Sequence, residues 1–209
     1  MKWLLQIVLC IGCFFGNLLS TPIAEASVDF STSYEHLSQP NVGNNYDDGV
    51  KYGVGLRHDV YKKLEGRIDA VHFTDIDFPT ASDPKGSFGE LRGFGGIYTA
   101  ILNLTYNKNV AFNINAGTGP VWWDFRENPN FQDAGVKVKV SPSWVFNVGI
   151  GVGVKIYDNW HVDLGIGWMD TNIEKHVISA GGEELNQLDA DSNLGLQYKT
   201  YRIAVRREF

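Results

Sequence analysis

Cysteine is almost missing from this 209-residue chain: there are two, Cys10 and Cys13, both within the first 26 positions. Once a leader of that length is removed, no thiol remains. That excludes a disulfide scaffold and a thiolate-rich metal site even in an oxidising compartment. Basic runs are missing too. Lys and Arg number 18 against 24 Asp and Glu, a net charge of −6, so the chain has no electrostatic footprint for nucleic acid. Helical periodicity is nearly absent after residue 26, which removes the all-α and α/β classes. The dinucleotide-binding fingerprint also fails, because Val154 stands where the third glycine should follow Gly149 and Gly151.

The one long apolar run is at the start. Met1-Lys2-Trp3 precedes a nearly uncharged stretch that ends in Thr21-Pro22-Ile23-Ala24-Glu25-Ala26. A basic start, a short apolar segment and a small-residue exit describe a secretory signal peptide, residues 1–26, with Ala24 and Ala26 before the cut and Ser27 after it. Two other readings stay open: an uncleaved anchor, since about 20 apolar residues span a bilayer, and lipoprotein processing before Cys13. Cleavage removes Lys2 and Glu25, one charge of each sign, so residues 27–209 keep the net charge of −6. They amount to a single domain.

What the rest contains is period-two alternation. Val28, Phe30, Thr32 and Tyr34 alternate with serines and Asp29, and Val50, Tyr52, Val54 and Leu56 with Lys51, Gly53, Gly55 and Arg57. Leu64 to Ala70, Val110 to Gly117, Trp144 to Ile156, Trp160 to Trp168 and Leu194 to Phe209 repeat the pattern. Residues 88–106 form a further strand whose phase is interrupted by Arg92, Gly93, Gly95 and Gly96, and a bulge is expected there. Eight strands without a helix between them predict an antiparallel all-β fold. The joins alternate in length. Asp59–Lys63, Asn107–Asn109 and Tyr157–Asn159 are tight turns, whereas Glu35–Asp48, Asp77–Ser87, Arg126–Gly135 and Asp170–Asn193 are long and polar. Short turns with both termini at one end and four long loops at the other are the layout of an eight-stranded transmembrane β-barrel, with periplasmic turns and extracellular loops.

The faces agree with that layout. Trp144, Phe146, Val148, Ile150, Val152, Val154 and Ile156 share one side of a strand, and Asn147, Gly149, Gly151, Gly153 and Lys155 the other. Twelve steps at ~3.3 Å, tilted by ~40°, give about 30 Å along a barrel axis, enough to cross an apolar band about 25 Å tall. Trp144 and Trp168 at the loop end, and Tyr157 and Trp160 at the turn end, are placed as aromatic girdles. Tyr106, and Trp122 or Trp123, extend the same pattern.

Residues 113–125, NINAGTGPVWWDF, and then NVGIGVGVKIYDNWHVDLGIGW resemble the last hairpins of small outer-membrane barrels of the OmpA, OmpW and opacity-protein type. The ending YRIAVRREF is similar to that family's insertion signal, with Phe209 last and Val205, Ile203 and Tyr201 at alternate positions before it. Arg207 departs from the pattern. The resemblance covers residues 27–209 in layout and 110–209 in motif. It implies insertion by the barrel assembly machinery and contact with outer-membrane lipid or lipopolysaccharide, and it fixes no activity or surface partner.

In such a barrel the lumen is where side-chain chemistry would occur. Lys51, Arg57, Glu65, Arg67, Asp69, Lys155, His161, Asp163, Arg202 and Arg206 are candidates to face it. Because an unpaired buried charge costs several kcal/mol, they are expected to pair into a polar plug; the glycines also allow a narrow path for a small solute. His161 and Asp163 lie two apart on one face, but no serine in a recognisable context accompanies them. His36-Leu37-Ser38-Gln39 loosely resembles the His-x-Ser-Asn element of barrels that deacylate lipid A, yet it is expected in the first loop. The acidic stretch Asp170–Asn193 lacks the ligand spacing of a cation loop. The expectation is therefore a non-enzymatic barrel with no catalytic, cofactor or metal site, working as structural support or through its loops. The rivals are a narrow channel for small, apolar solutes, as in OmpW-like proteins, and a lipid A-modifying enzyme.

Overall fold

The computed structural model describes residues 28–40, 46–80, 83–106, 109–129, 137–178 and 193–209. The proposed signal peptide, with Ala24, Ala26 and Ser27, lies outside them. Nine strands follow one another: β1 (Val28–Ser38), β2 (Gly49–Tyr61), β3 (Leu64–Thr80), β4 (Asp83–Tyr106), β5 (Val110–Glu127), β6 (Lys137–Val140), β7 (Ser143–Tyr157), β8 (Trp160–Ile178) and β9 (Asn193–Glu208). Eight of them close a ring of antiparallel neighbours in chain order, sealed where β1 pairs with β9 from Asp29↔Glu208 to Ser38↔Lys199. A closed ring leaves no unpaired edge, the condition for a sheet to sit in lipid. The short β6 continues the line of β7 beyond Pro142 and pairs with the end of β8, Val140↔Lys175.

Two of the tight turns depend on single residues in the left-handed region. Lys62 (φ 41°) sits between β2 and β3, and Asp158 (φ 34°) between β7 and β8. Asp tolerates that conformation because its short polar side chain bonds locally.

The outer connections differ from the expected four long loops. Residues 77–80 and 83–87 are strand and not loop: β3 runs on to Thr80 and β4 starts at Asp83, with Thr80 opposite Asp83. Likewise β8 reaches Ile178, well into the acidic stretch. β3 and β8 lengthen with an apolar inner face, since Ile76 and Phe78 on one and Met169 and Ile173 on the other are buried. The bulge expected in residues 88–106 is present, although β4 itself keeps its phase at Arg92, Gly93, Gly95 and Gly96. Inward and outward residues alternate through those positions without a break, while register shifts fall between Asn103 and Thr105 and, on the neighbouring strand, between Phe73 and Ile76. Asp75, at φ 60°, is the left-handed residue of the latter bulge.

β4 has 24 residues, roughly 60 Å along the axis at ~3.3 Å per residue and ~40° tilt, more than twice an apolar band of about 25 Å. The barrel therefore stands well clear of the bilayer at its loop end. The pattern inverts at the girdle. Along β5 the outward side reads Phe112, Ile114, Ala116, Thr118, Pro120, Trp122 and then Asp124, Arg126; the inward side reads Asn113, Asn115, Gly117, Gly119 and then Val121, Trp123, Phe125. On β8, outward Leu164, Ile166 and Trp168 give way to Asp170 and Asn172, while inward Asp163 and Gly165 give way to Met169 and Ile173. Below the girdle the sheet is apolar outside and polar inside. Above it the order is that of a water-soluble protein, because the outer medium has changed from hydrocarbon to water.

Candidate functional site

The lumen is the concave feature shared by all eight ring strands, and it is filled in two stacked sections. Within the lipid-facing band, five cations (Lys51, Arg57, Arg67, Arg202, Arg206) and five carboxylates (Asp29, Glu35, Glu65, Asp69, Asp163) converge. Lys51 Nζ lies 2.5 Å from Glu35 Oε2, and Arg67 Nε donates to Asp69 Oδ2 at 2.6 Å. Arg57 pairs with Glu65 and Arg206 with Asp29. Asp163 sits between Arg57 (3.5 Å) and Arg206 (3.4 Å). Asn103 Nδ2 adds a bond to Glu65 Oε1 at 2.5 Å. Equal numbers of opposite charges, four of each in direct pairs with Asp163 shared between two arginines and Arg202 beside them, make this section a plug: moving one paired member exposes its partner in a low-dielectric interior.

Beside the plug a cavity of about 40 Å³ remains, lined among others by Arg202, Asn113, Asn115, Asn147 and the glycines Gly149, Gly151, Gly165 and Gly167. Arg202 Nη2 and Asn147 Oδ1 are buried atoms without a protein partner. Space and polarity suit about three waters and no larger solute, at ~10–15 Å³ for each. Toward the turn end the lumen widens into a polar vestibule of about 360 Å³ between Asp29, Arg57, Glu65, His161, Arg206 and Glu208.

Above the plug the lumen is an apolar core. Leu37, Val71, Phe73, Ile76, Phe78, Leu91, Ile97, Val121, Trp123, Phe125, Val145, Met169, Ile173, Leu196 and Tyr198 are all buried in one cluster. Phe73 packs on Trp123 with ring centroids 5.1 Å apart, and Phe78 on Phe125 at 5.6 Å. The polar tips inside are satisfied: Trp123 Nε1 donates to Ser143 Oγ at 2.8 Å, which in turn contacts Thr171 Oγ1 at 2.7 Å. Tyr46, from the β1–β2 connection, folds over the mouth; its ring meets Tyr198 at 5.4 Å and its hydroxyl accepts from Gln197 N at 2.9 Å. Outside the band, Arg92 grips Glu90 with two bonds of 2.7 Å. Those bonds hold the Glu90 carboxyl below its ordinary pKa.

Of the residues singled out as facing the lumen, Asp163 is in the plug, His161 lines the vestibule 3.6 Å from Glu208, and Lys155 is exposed at the turn-end rim. His161 and Asp163 are thus engaged by different partners. Trp144, Tyr157, Trp160 and Trp168 are exposed on the outer wall, at 58, 70, 40 and 40%, as are Tyr201, Ile203, Val205 and Phe209. The side chain of Tyr106 lies outside the described residues. Trp122 is outside the barrel and Trp123 inside it. Arg207 is held over Trp160 (5.5 Å) and Phe209 (4.9 Å), so its charge stays at the girdle, where aromatic rings accommodate a cation. His36 is not in a loop: it belongs to β1, faces outward, stacks on Tyr201 at 6.3 Å and approaches Asp48 at 3.5 Å. The apolar core went unnoticed in the sequence, although the inversion along β5 and β8 signals it.

No family model matches the chain, and no curated protein matches it. Solved structures do. The outer membrane protein OprG from Pseudomonas aeruginosa superposes with a TM-score of 0.63 at 12% identity, over 88% of this chain and 96% of that one. Neisserial surface protein A gives 0.54 at 11%, over 89% and 98%. The Escherichia coli outer membrane protein W gives 0.53 at 15%, over 90% and 100%. At such identities the likeness is one of architecture: the chain has the fold of the small eight-stranded β-barrels of the bacterial outer membrane.

Proposed function

We propose that the protein is a non-enzymatic, non-conducting barrel of the outer membrane, exported through a cleaved signal peptide and inserted by the barrel assembly machinery. It supports the membrane and makes surface contacts through the part that stands above it. The observation that carries this reading is the doubly filled lumen, an ion-paired plug below and a packed apolar core above. A porin-like path needs a continuous wet bore; the interior cavity here is about 40 Å³. The termini and tight turns then face the periplasm, and the polar outer collar of Glu90, Arg92, Asp124, Arg126 and Asp170 faces the surroundings. A partner would meet the protein there. Planar bilayers containing the purified protein should stay silent across salts and voltages, and discrete conductance steps would refute the proposal.

A second reading has one observation in its favour. The outer half of the lumen is apolar, so a small apolar solute that displaced Tyr46 and the rings beneath it would meet a compatible lining. Accumulation of such a solute by cells expressing the protein, above that of cells without it, would support this reading against the first.

A further inference from the structure

We propose that the outer wall over β5, β7, β8 and β9 binds one phosphorylated lipid anchor of lipopolysaccharide, with acyl chains in two furrows and a phosphate at Lys199. This rests on the loop end facing the outer leaflet. The upper furrow, about 590 Å³, runs between the row Ala116, Val148, Trp168, Lys199 and the row Ile114, Ile150, Ile166, Tyr201. The lower one, about 660 Å³, shares Ile150, Ile166 and Tyr201 as its wall and is bounded below by Phe112, Val152, Leu164 and Ile203. These rows are neighbours by strand register, as in Ile114↔Ile150↔Ile166↔Tyr201. The floors are backbone: Gly149 opposite Gly167 in one furrow, Gly151 opposite Gly165 in the other.

What covers this wall is decided by its surroundings. Both furrows lie between Trp168 and Trp160, so the occupant is soluble in hydrocarbon. Two parallel furrows suit a lipid with more than one chain. Lys199 sits at the end of the upper furrow beside Trp168, directly opposite it in the β8–β9 register. Among the described residues it enters no salt bridge. The outward residues of these strands between Phe146 and Val154, Val162 and Ile166, and Tyr201 and Val205 are apolar or aromatic, while the lower furrow also reaches His36 of β1 and the lumen-facing Arg202. Lys199, at the upper margin of a furrow whose other outward residues are apolar or aromatic, complements an anionic headgroup above apolar chains. A second copy fits less well, because a self-complementary contact between two convex barrels meets along a line and leaves furrows unfilled.

The test uses the full protein, delipidated in detergent, offered lipid A, phosphatidylglycerol or phosphatidylcholine, with bound lipid counted by native mass spectrometry. Lipid A should be retained over phosphatidylcholine by about two- to fivefold, the effect of one partly exposed ion pair, and the preference should shrink in high salt. Lys199→Gln should abolish the preference while total binding persists. Val148→Trp, which crowds the upper furrow, should lower lipid A retention. Equal retention by wild type and both variants overturns the site, as does equal binding of phosphatidylglycerol and lipid A. A dimer that Val148→Trp disrupts without changing the lipid count assigns the wall to a second copy instead. Heat-modifiable gel migration in the same samples reports the barrel separately. Should Val148→Trp not fold, Lys199→Gln and the salt dependence decide.

Discussion

Replacing Phe73 with alanine tests whether the outer lumen is a dry core or a wet bore. Phe73 is fully buried, packed at a tilt against Trp123 with ring centroids 5.1 Å apart and its ring centroid 5.9 Å from the Lys51 ammonium, where core and plug meet. In a packed interior, Phe→Ala removes the transfer free energy of the ring and leaves a cavity, together costing about 3–5 kcal/mol. The aromatic pair adds ~0.5–1.5 kcal/mol that is not strictly separable from that figure. We take about 4 kcal/mol, close to a thousandfold in the folded-to-unfolded ratio at 1.4 kcal/mol per decade. The measurement is equilibrium denaturant unfolding of the barrel in lipid vesicles, followed by tryptophan fluorescence and gel mobility, with the slope checked for constancy between wild type and variant. In a wet bore the ring would lie against water in both states and its loss would matter little. A destabilisation below about 1 kcal/mol would therefore refute the packed core, and with it the non-conducting reading.

Three further outcomes are expected. Asp163→Asn leaves Arg57 and Arg206 facing each other without their shared carboxylate; breaking a buried pair typically costs ~3–5 kcal/mol, and the low end applies because contacts of 3.4 and 3.5 Å are not tight hydrogen bonds. The same unfolding titration reads it, and an unchanged midpoint would mean the plug does not hold the barrel. Gly167→Ala should destabilise by ~1–3 kcal/mol, since its Cβ would lie 2.5 Å from the Val148 carbonyl oxygen. Gly165→Ala, with nothing nearer than 3.4 Å, should stay within about 1 kcal/mol of wild type; equal effects would contradict the close approach of β7 and β8. Lipid A mass spectra should be the same with and without expression, and with His36→Ala, and any missing acyl chain in the wild type alone would establish the enzyme reading.

The barrel was legible in the chain because its signal is local. Alternation along Trp144–Ile156 needs only the two-residue period of a strand, and tight turns such as Asp158-Asn159 announce themselves by residue type. Lipid on one side and a narrow interior on the other impose opposite polarity on successive residues, and that is written position by position. Closure is not local. That β1 seals against β9, that Asp163 meets Arg57 across the lumen and that residues 77–80 and 83–87 continue two strands depend on contacts between distant segments. The bulge at Asp75 lies between the two: it faces Arg92, where an interruption was expected, but only the pairing shows that β3 carries it and that Ile76 and Phe78 thereby join Phe73 inside.

The reversal at the girdle lies between these cases. The residues that carry it, Val121-Trp122-Trp123-Asp124-Phe125, are plain in the sequence. Their meaning depends on where the bilayer ends, which only the height of the folded barrel fixes. The sequence by itself determined an alternating, eight-stranded sheet with an apolar outer wall. The tertiary structure decided that the interior is shut, because whether side chains fill a space or leave it open depends on how close the ring brings them.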